Sequence, residues 1–229
     1  MTEDSPTTLL FETSSRQGFV AIAVGSDVVG EIPLNESRRH ACDLAPATQK
    51  LLRTHNFKAK DVCALFVSQG PGSYTGLRVG IMSAKAFAYA TGCRILGIST
   101  FAALAEQAPA AACTIETFAD AQQDRVYVQR FERDELGVPK PTSELRILAF
   151  EEWRVRRNGV RWLMGLGLRG KESRLPTNVH LVDQASWRPK PKSLLTVGLR
   201  RLGANDVDDL YSLEPTYHRP SAAEEQWDA

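Results

Sequence analysis

One segment constrains this chain more than any other. The apolar, strand-sized run Val62–Ser68 leads through Gly70-Pro71-Gly72-Ser73 into a helical pattern from Tyr74 to Thr91, which Gly92 stops. A buried strand joined by a glycine loop to a long helix is a building unit of α/β folds, where helices pack on a sheet. Within that helix Gly76, Gly80, Ala84 and Ala88 recur every fourth residue, so they share one stripe. Glycine inside a helix costs up to about 1 kcal/mol relative to alanine. Two on one stripe mean that another backbone comes close, because small side chains remove the ridge that keeps axes about 8–10 Å apart. Either the chain's own sheet or a helix of a second molecule satisfies that spacing.

The loop itself has two readings. Backbone N–H groups at a helix start can cradle an anion, and glycines let it approach. Yet the known phosphate motifs do not fit. Gly76 is followed by Leu77-Arg78 and not by Lys-Ser/Thr. The third glycine of a dinucleotide fingerprint comes one residue late, and Ser73 directly follows Gly72, which excludes a Gly-x-Ser-x-Gly elbow. A structural strand-to-helix turn and a phosphate site both remain open from the residues alone.

Around this unit the pattern continues. Leu9–Ser15, Phe19–Val24 and Val28–Leu34 read as strands of an antiparallel meander, punctuated by Gly18 and by Gly25-Ser26-Asp27. His40 to His55 reads as a helix whose Ala41, Leu44, Ala45, Thr48, Leu51 and Leu52 share a face, and Pro46 predicts a kink or a late start. Arg94–Gly97 is a strand, with Ser99 capping a helix that runs to Gln107. The later half is less regular. Cys113–Ala119 and Arg125–Phe131 pair around Asp120–Asp124, and Leu136–Thr142 is a loop. Glu151–Arg157 is a short helix, Arg161–Leu166 a strand and Lys192–Leu202 a helix, and the tail from Glu214 is an extended arm or partly disordered. A domain boundary is placed near residue 104, giving lobes 1–104 and 105–229.

Composition narrows the function. With 43% hydrophobic and 24% charged residues the 229-residue chain can bury a real core. A net charge of +1 does not advertise a nucleic-acid or membrane-surface protein. Residues Met1–Thr8 carry Glu3 and Asp4 and no apolar centre, so they do not read as a signal peptide. Cys42, Cys63, Cys93 and Cys113 are unclustered and read as buried, reduced thiols of a cytosolic protein. His40, His55, His180 and His218 show no metal-ligand spacing, and Trp153, Trp162 and Trp187 read as core or interface anchors. Glu12-Thr13-Ser14-Ser15 closes the first strand. There an actin-like phosphotransfer enzyme would place an acid on a metal and a hydroxyl on phosphate, whereas a lone acid is more often solvated or salt-bridged.

The run QGPGSYTGLRVGIMSAKAFAYATG resembles the signature of the bacterial tRNA threonylcarbamoyladenosine-biosynthesis dimerisation subunit, the TsaB family. Supporting pieces fall in order. Arg39-His40 precedes Leu44 and Pro46, and Gly97-Ile98-Ser99-Thr100 leads to Ala103-Leu104-Ala105. Asp120-Ala121 precedes Val126-Tyr127, and Pro215-Thr216-Tyr217-His218-Arg219 comes near the end. Three departures stand out: Glu12 for the usual Asp, Gln122-Gln123-Asp124 for Arg-Arg-Gly, and His218 for Leu.

The resemblance implies an actin-like α/β fold of two ribonuclease-H-like lobes with mixed sheets flanked by helices. It implies a homologous catalytic threonylcarbamoyltransferase subunit that carries a His-x-x-x-His metal pair where this chain has Ile98-Ser99-Thr100-Phe101-Ala102. This chain is then the non-catalytic, cytoplasmic scaffold that holds the sister active. A small ATPase subunit completes the complex, which modifies the tRNA adenosine beside the anticodon, and the free chain can pair with itself as a homodimer. ATP and metal are expected on the partner subunits, with no tightly bound cofactor here. The expected partner interface is Leu44, Thr48 and Leu51 with Gly76, Gly80, Ala84 and Ala88; Thr13, Ser14, Gly70 and Gly72 form a weak nucleotide half-site. The competing reading is an independent enzyme on the same fold. It would be a small-molecule kinase using Glu12, the Gly70 loop and a second loop at Gly165-Leu166-Gly167, or a metalloprotease. A plain homodimeric interaction protein is the third.

Overall fold

The strand Thr7–Glu12 (β1) buries every side chain, as a strand must when both faces of its sheet are covered. In the computed structural model, which describes residues 5–35, 42–155 and 161–216, β1 is the central strand of a five-stranded sheet. Phe19–Val24 (β2) lies antiparallel beside it and Asp27–Pro33 (β3) antiparallel beside β2. On the other side Val62–Gly70 (β4) runs parallel to β1, and Arg94–Ser99 (β5) parallel to β4. The order is β3-β2-β1-β4-β5. Antiparallel neighbours need only tight turns, whereas parallel ones need crossovers. Leu44–Thr54 (α1) precedes β4, and Tyr74–Thr91 (α2) joins β4 to β5. Both helices cover one face, where Leu9, Phe11, Leu65 and Val67 meet Leu44 and Leu51 of α1 and Ile81, Ala84 and Ala88 of α2. A mixed sheet in this strand order, flanked by helices, is the α/β, actin-like half expected from the sequence.

The chain divides into two compact units, Met1–Thr100 with Pro191–Ala229, and Phe101–Lys190. The lobe boundary read near residue 104 lies close to the first division, but the sequence reading left everything after it in the second lobe. The helix Pro191–Gly203 (α5) belongs to the first unit instead. A β-carbon on Gly198 would stand closer than 3.0 Å to the ring of Phe66 on β4, so the helix rests directly on the sheet. Leu194 and Leu195 are fully buried there.

In the second unit Thr114–Asp120 (β6) and Arg125–Arg133 (β7) form the expected antiparallel pair. Thr100–Glu106 (α3) precedes them, and Phe150–Val155 (α4) follows. Pro139–Pro141 (β8) and Arg146–Ala149 (β9) pair with β7; Arg161–Met164 (β10) runs parallel to β6, and Val179–Leu181 (β11) parallel to β10. Here β8 falls inside the segment expected to be a loop. Prolines are tolerated because β8 is an edge strand. The β6–β7 turn holds Gln122, Gln123 and Asp124 at φ of 61°, 52° and 55°. Asp124 is fixed there by Lys171 and by both terminal guanidinium nitrogens of Arg174. Glu116 is buried on β6, where it accepts from Arg161 at 2.8 Å, Arg130 at 3.2 Å and the Trp153 indole at 3.1 Å.

Two further expectations are corrected. The cysteines are not buried thiols: Cys42, Cys63 and Cys113 are exposed and Cys93 is half-buried. The helix read from His40 begins at Leu44, which puts Pro46 in its first turn, where a missing N–H costs nothing. Arg39, His40, Arg157 and Tyr217-His218-Arg219 lie outside the described residues.

Candidate functional site: the glycine loop and the outer helical face

The end of β1 and the glycine loop are bound to each other. Thr13 N donates to Ser68 Oγ at 3.1 Å, and Ser73 N donates to the Ser14 carbonyl at 2.7 Å. Ser73 caps α2 by accepting from Gly76 N at 3.2 Å, and its carbonyl accepts from Leu77 N at 2.8 Å. The backbone donors that could cradle an anion at this helix start are therefore partly satisfied within the chain. A β-carbon on Gly72 would press on the Ser14 carbonyl, one on Gly76 on the Thr13 carbonyl, and one on Gly80 on Thr13 Oγ1, each closer than the 3.0 Å that real β-carbons respect. The glycines exist because β1 runs into the first two turns of α2.

The interface residues expected from the sequence pack within the chain. Gly76, Gly80, Ala84 and Ala88 are buried, and Ala84 and Ala88 sit in the core between α2 and the sheet. Leu44, Thr48 and Leu51 are buried as well, and the Thr48 hydroxyl donates to the Leu44 carbonyl at 2.8 Å. The stripe does bring another backbone close, and that backbone is the chain's own, at Thr13.

Of the half-site residues expected from the sequence, Gly72 lies against Ser14, whereas Gly70 lies against Leu77 and the Thr216 carbonyl. Glu12, next to Thr13, is fully buried. Its Oε1 accepts from Ser14 N at 2.7 Å and from the Ser14 hydroxyl, while Oε2 has no hydrogen-bond partner within 3.5 Å among the described residues. Burial pushes this carboxyl up to about 7, against the pull of the Ser14 hydrogen bonds. A metal-positioning acid has to be ionised and within reach of its ligand; Glu12 is walled in and holds the hydroxyl a phosphate would need. The tail covers the next position, with Thr216 N donating to the Gln69 carbonyl and Gln69 Nε2 donating to the Glu214 carbonyl, both at 2.9 Å. The arm is thus pinned as far as Thr216. The second loop of the kinase reading is also packed. Cβ positions on Gly165 and Gly167 fall closer than 3.0 Å to the backbone of Phe118 and Ala119.

Among the described residues no group of three or more His, Cys, Asp or Glu side chains is placed to hold a metal ion. The ring of His55 packs where a side chain on Gly30 would lie, and His180 stacks on Trp162 at 4.8 Å. Trp153 and Trp187 are buried core anchors, as expected, while Trp162 is half-buried.

What the first unit does present is a groove between α1 and α2. It encloses about 550 Å³ and is lined by Phe11, Leu44, Thr48, Leu52, Phe57, Ala86 and Phe87 among others. Leu44 and Thr48 thus take part in this surface as its floor. Along the outer side of α2, Met82 is 63% and Tyr89 73% exposed. Arg78 lies over the Tyr74 ring at 4.9 Å. Large apolar side chains on an exposed helix beside an apolar groove suit a protein partner's helix. The sequence carried this signal too, because α2 has only Arg78 and Lys85 as charged residues over its 18 positions. A helix that is apolar nearly all round needs covering on two sides.

The chain is similar to several known proteins. The family model described as "TsaD: tRNA N6-adenosine threonylcarbamoyltransferase" matches residues 20–137. A Bacillus subtilis (strain 168) protein named "tRNA threonylcarbamoyladenosine biosynthesis protein TsaB" is 24% identical, over 96% of this chain and 97% of its own length. The Escherichia coli (strain K12) protein of the same name is 28% identical, over 81% of this chain and 83% of its own. The solved structure of YeaZ from Pseudomonas aeruginosa shares the fold. It has a TM-score of 0.80 and 24% identity, covering 93% of this chain and 99% of that one.

Proposed function

This chain belongs to the TsaB and TsaD family of tRNA threonylcarbamoyladenosine proteins, and we propose that it serves that modification as a non-catalytic subunit. The observation that carries the reading is the division of labour on α2. Its inner stripe is closed against Thr13, while its outer side, with Met82, Ala86 and Tyr89, is exposed beside an apolar groove. A helix built this way is a docking element. The partner it suits best is the homologous catalytic subunit, whose related fold would offer a related helix pair and so a pseudo-twofold contact.

In this reading the chain holds its sister in an active form, a small ATPase subunit joins them, and tRNA is bound through the complex. ATP and the catalytic metal belong to the partner subunits. Thr13, Ser14, Gly70 and Gly72 contribute at most a weak half-site, because Gly72 and the Ser14 carbonyl already press together. Glu12 serves as a buried tie for Ser14 and not as a phosphotransfer acid. A tRNA substrate puts the work in the cytoplasm. No helix among the described residues is long and apolar enough to cross a membrane.

The test is reconstitution. The chain, its homologous partner and the small ATPase are mixed with tRNA, ATP, Mg²⁺ and a threonylcarbamoyl donor. Modified adenosine should form only when this chain is present, and should still form with Glu12→Gln. The chain alone should not turn over ATP. Modification that proceeds unchanged without the chain, or ATP turnover by the chain that is lost in Glu12→Gln, would contradict the proposal.

A further inference from the structure

Two cysteines that no catalytic or docking role uses lie side by side. Ala64 of β4 is the register partner of Arg94 of β5, and Leu65 that of Ile95, with no irregularity before Ser68. One step back along both parallel strands, Cys63 therefore faces Cys93. At Cys63 the pairing of β4 with β1 is irregular, Thr7 meeting Val62 and Thr8 meeting Ala64; past it side chains alternate across both strands, and Cys93 shares a face with Ile95 and so with its partner Leu65. Both of those are in the core on the α1 and α2 side of the sheet, and Cys93 itself packs against that core. The two thiols thus stand at the same end of neighbouring strands, Cys63 exposed and Cys93 half-buried, and near enough that Cys63 adds to the rise of the Cys93 thiol. The Cys63 thiol donates only a long contact of 3.8 Å to the Asp61 carbonyl.

Neighbouring strands run about 4.8 Å apart, within the roughly 4.4–6.8 Å between α-carbons that a disulfide spans. A disulfide wants its β-carbons about 3.5–4.5 Å apart, so the strand ends must draw together slightly. Cys93 directly precedes the first residue of β5, where its N–H makes only a long bond of 3.4 Å to Thr91 Oγ1, so it can make that movement. A bond formed with such strain is readily reduced again.

We infer that Cys63 and Cys93 are a redox-active dithiol, closed to a disulfide by a peroxide and reopened by a dithiol reductant. The exposed Cys63 attacks first. Its sulfur bonds to one peroxide oxygen, the O–O bond breaks, and water leaves behind a sulfenic acid. The Cys93 sulfur then attacks the Cys63 sulfur. The S–S bond forms, the S–O bond breaks, and the hydroxyl departs with the Cys93 proton as a second water. Two thiols lose two electrons and one peroxide becomes two waters. Burial holds the Cys93 thiol above its ordinary range, which suits the resolving partner and not the first nucleophile. The bond would close a loop over β4, the glycine loop and the whole of α2.

The experiment treats the reduced full-length protein with about one equivalent of hydrogen peroxide and maps its peptides without reduction. The expected result is one linked peptide pair, Cys63 to Cys93, with Cys42 and Cys113 still open to alkylation and dithiothreitol restoring all thiols. In Cys93→Ser, dimedone should capture a Cys63 sulfenic acid that the wild type does not accumulate. Dibromobimane, which bridges adjacent thiols, should link the pair in unmodified protein and so removes any dependence on how the variant folds. Equal dimedone labelling of wild type and Cys93→Ser, linkage through Cys42 or Cys113, or single-ended bimane labelling of Cys63 would overturn the inference.

Discussion

The β-carbon that Gly80 lacks would stand on top of Thr13 Oγ1, closer than 3.0 Å, and both residues are buried. Helix α2 is thereby locked to the end of β1, and the first prediction concerns that lock. Alanine at an ordinary helical site gains about 1 kcal/mol over glycine. At position 80 overpacking reverses the sign, and Gly80→Ala should destabilise by about 1–3 kcal/mol in urea unfolding. Gly80→Leu should fail to fold or melt far earlier. Thr13→Ala should rescue part of the loss in Gly80→Ala, since it removes Oγ1 and Cγ2 while leaving Cβ. A Gly80→Ala protein as stable as the wild type would show that the two elements do not meet.

Glu12 predicts a pH dependence of stability. Its folded pKa is raised from 4.5 to about 7, with burial the main cause. The folded state therefore binds a proton more tightly than the unfolded state. The protonated form's advantage is fully present below the unfolded value, fades as pH rises through that window, and is gone above about 7. The Glu12→Gln variant keeps an acceptor for Ser14 and does not ionise. Relative to the wild type it should gain stability between about pH 4.5 and 7, by up to about 3 kcal/mol, as a shift of this size converts at about 1.4 kcal/mol per pH unit. Parallel stability curves for the two proteins across that range would contradict it.

In the second unit Glu116 ties together Arg161, Arg130 and Trp153, and the Glu116–Arg161 pair is almost fully buried. Removing one member leaves a buried charge uncompensated, which typically costs about 3–5 kcal/mol. Glu116→Ala should show that loss in thermal unfolding. Replacing both, with Glu116→Leu and Arg161→Met, should cost much less. Equal losses for the single and double variants would mean that packing, and not charge, holds this site.

Much of the fold is legible in the sequence. Both ends of α2 are, because Ser73 supplies a side-chain cap and Gly92 ends the helix at φ 75°. The β6–β7 pair is, through its apolar runs on either side of Asp120–Asp124. Strands β8, β9 and β11 are not, since three or four residues carry no period and become strands only by pairing with β7 or β10. Nor is the return of α5 to the first unit, which rests on the closeness of Gly198 to Phe66. The candidate site is legible only in part. Spacing at Gly76 and Gly80 says that a backbone approaches, but not whose. The side of α2 left for a partner is encoded elsewhere, in Met82, Ala86 and Tyr89, apolar residues on a helix that already has a buried face.

The central claim is that the outer side of α2 and its groove dock the homologous catalytic subunit. It is tested most directly by measuring that subunit's affinity for the wild type and for a Met82→Asp, Ala86→Arg double variant. Both positions are exposed, so the variant should keep the wild-type melting transition. The account predicts at least tenfold weaker binding, a loss of about 1.4 kcal/mol or more. Binding at wild-type strength by the folded variant would contradict it.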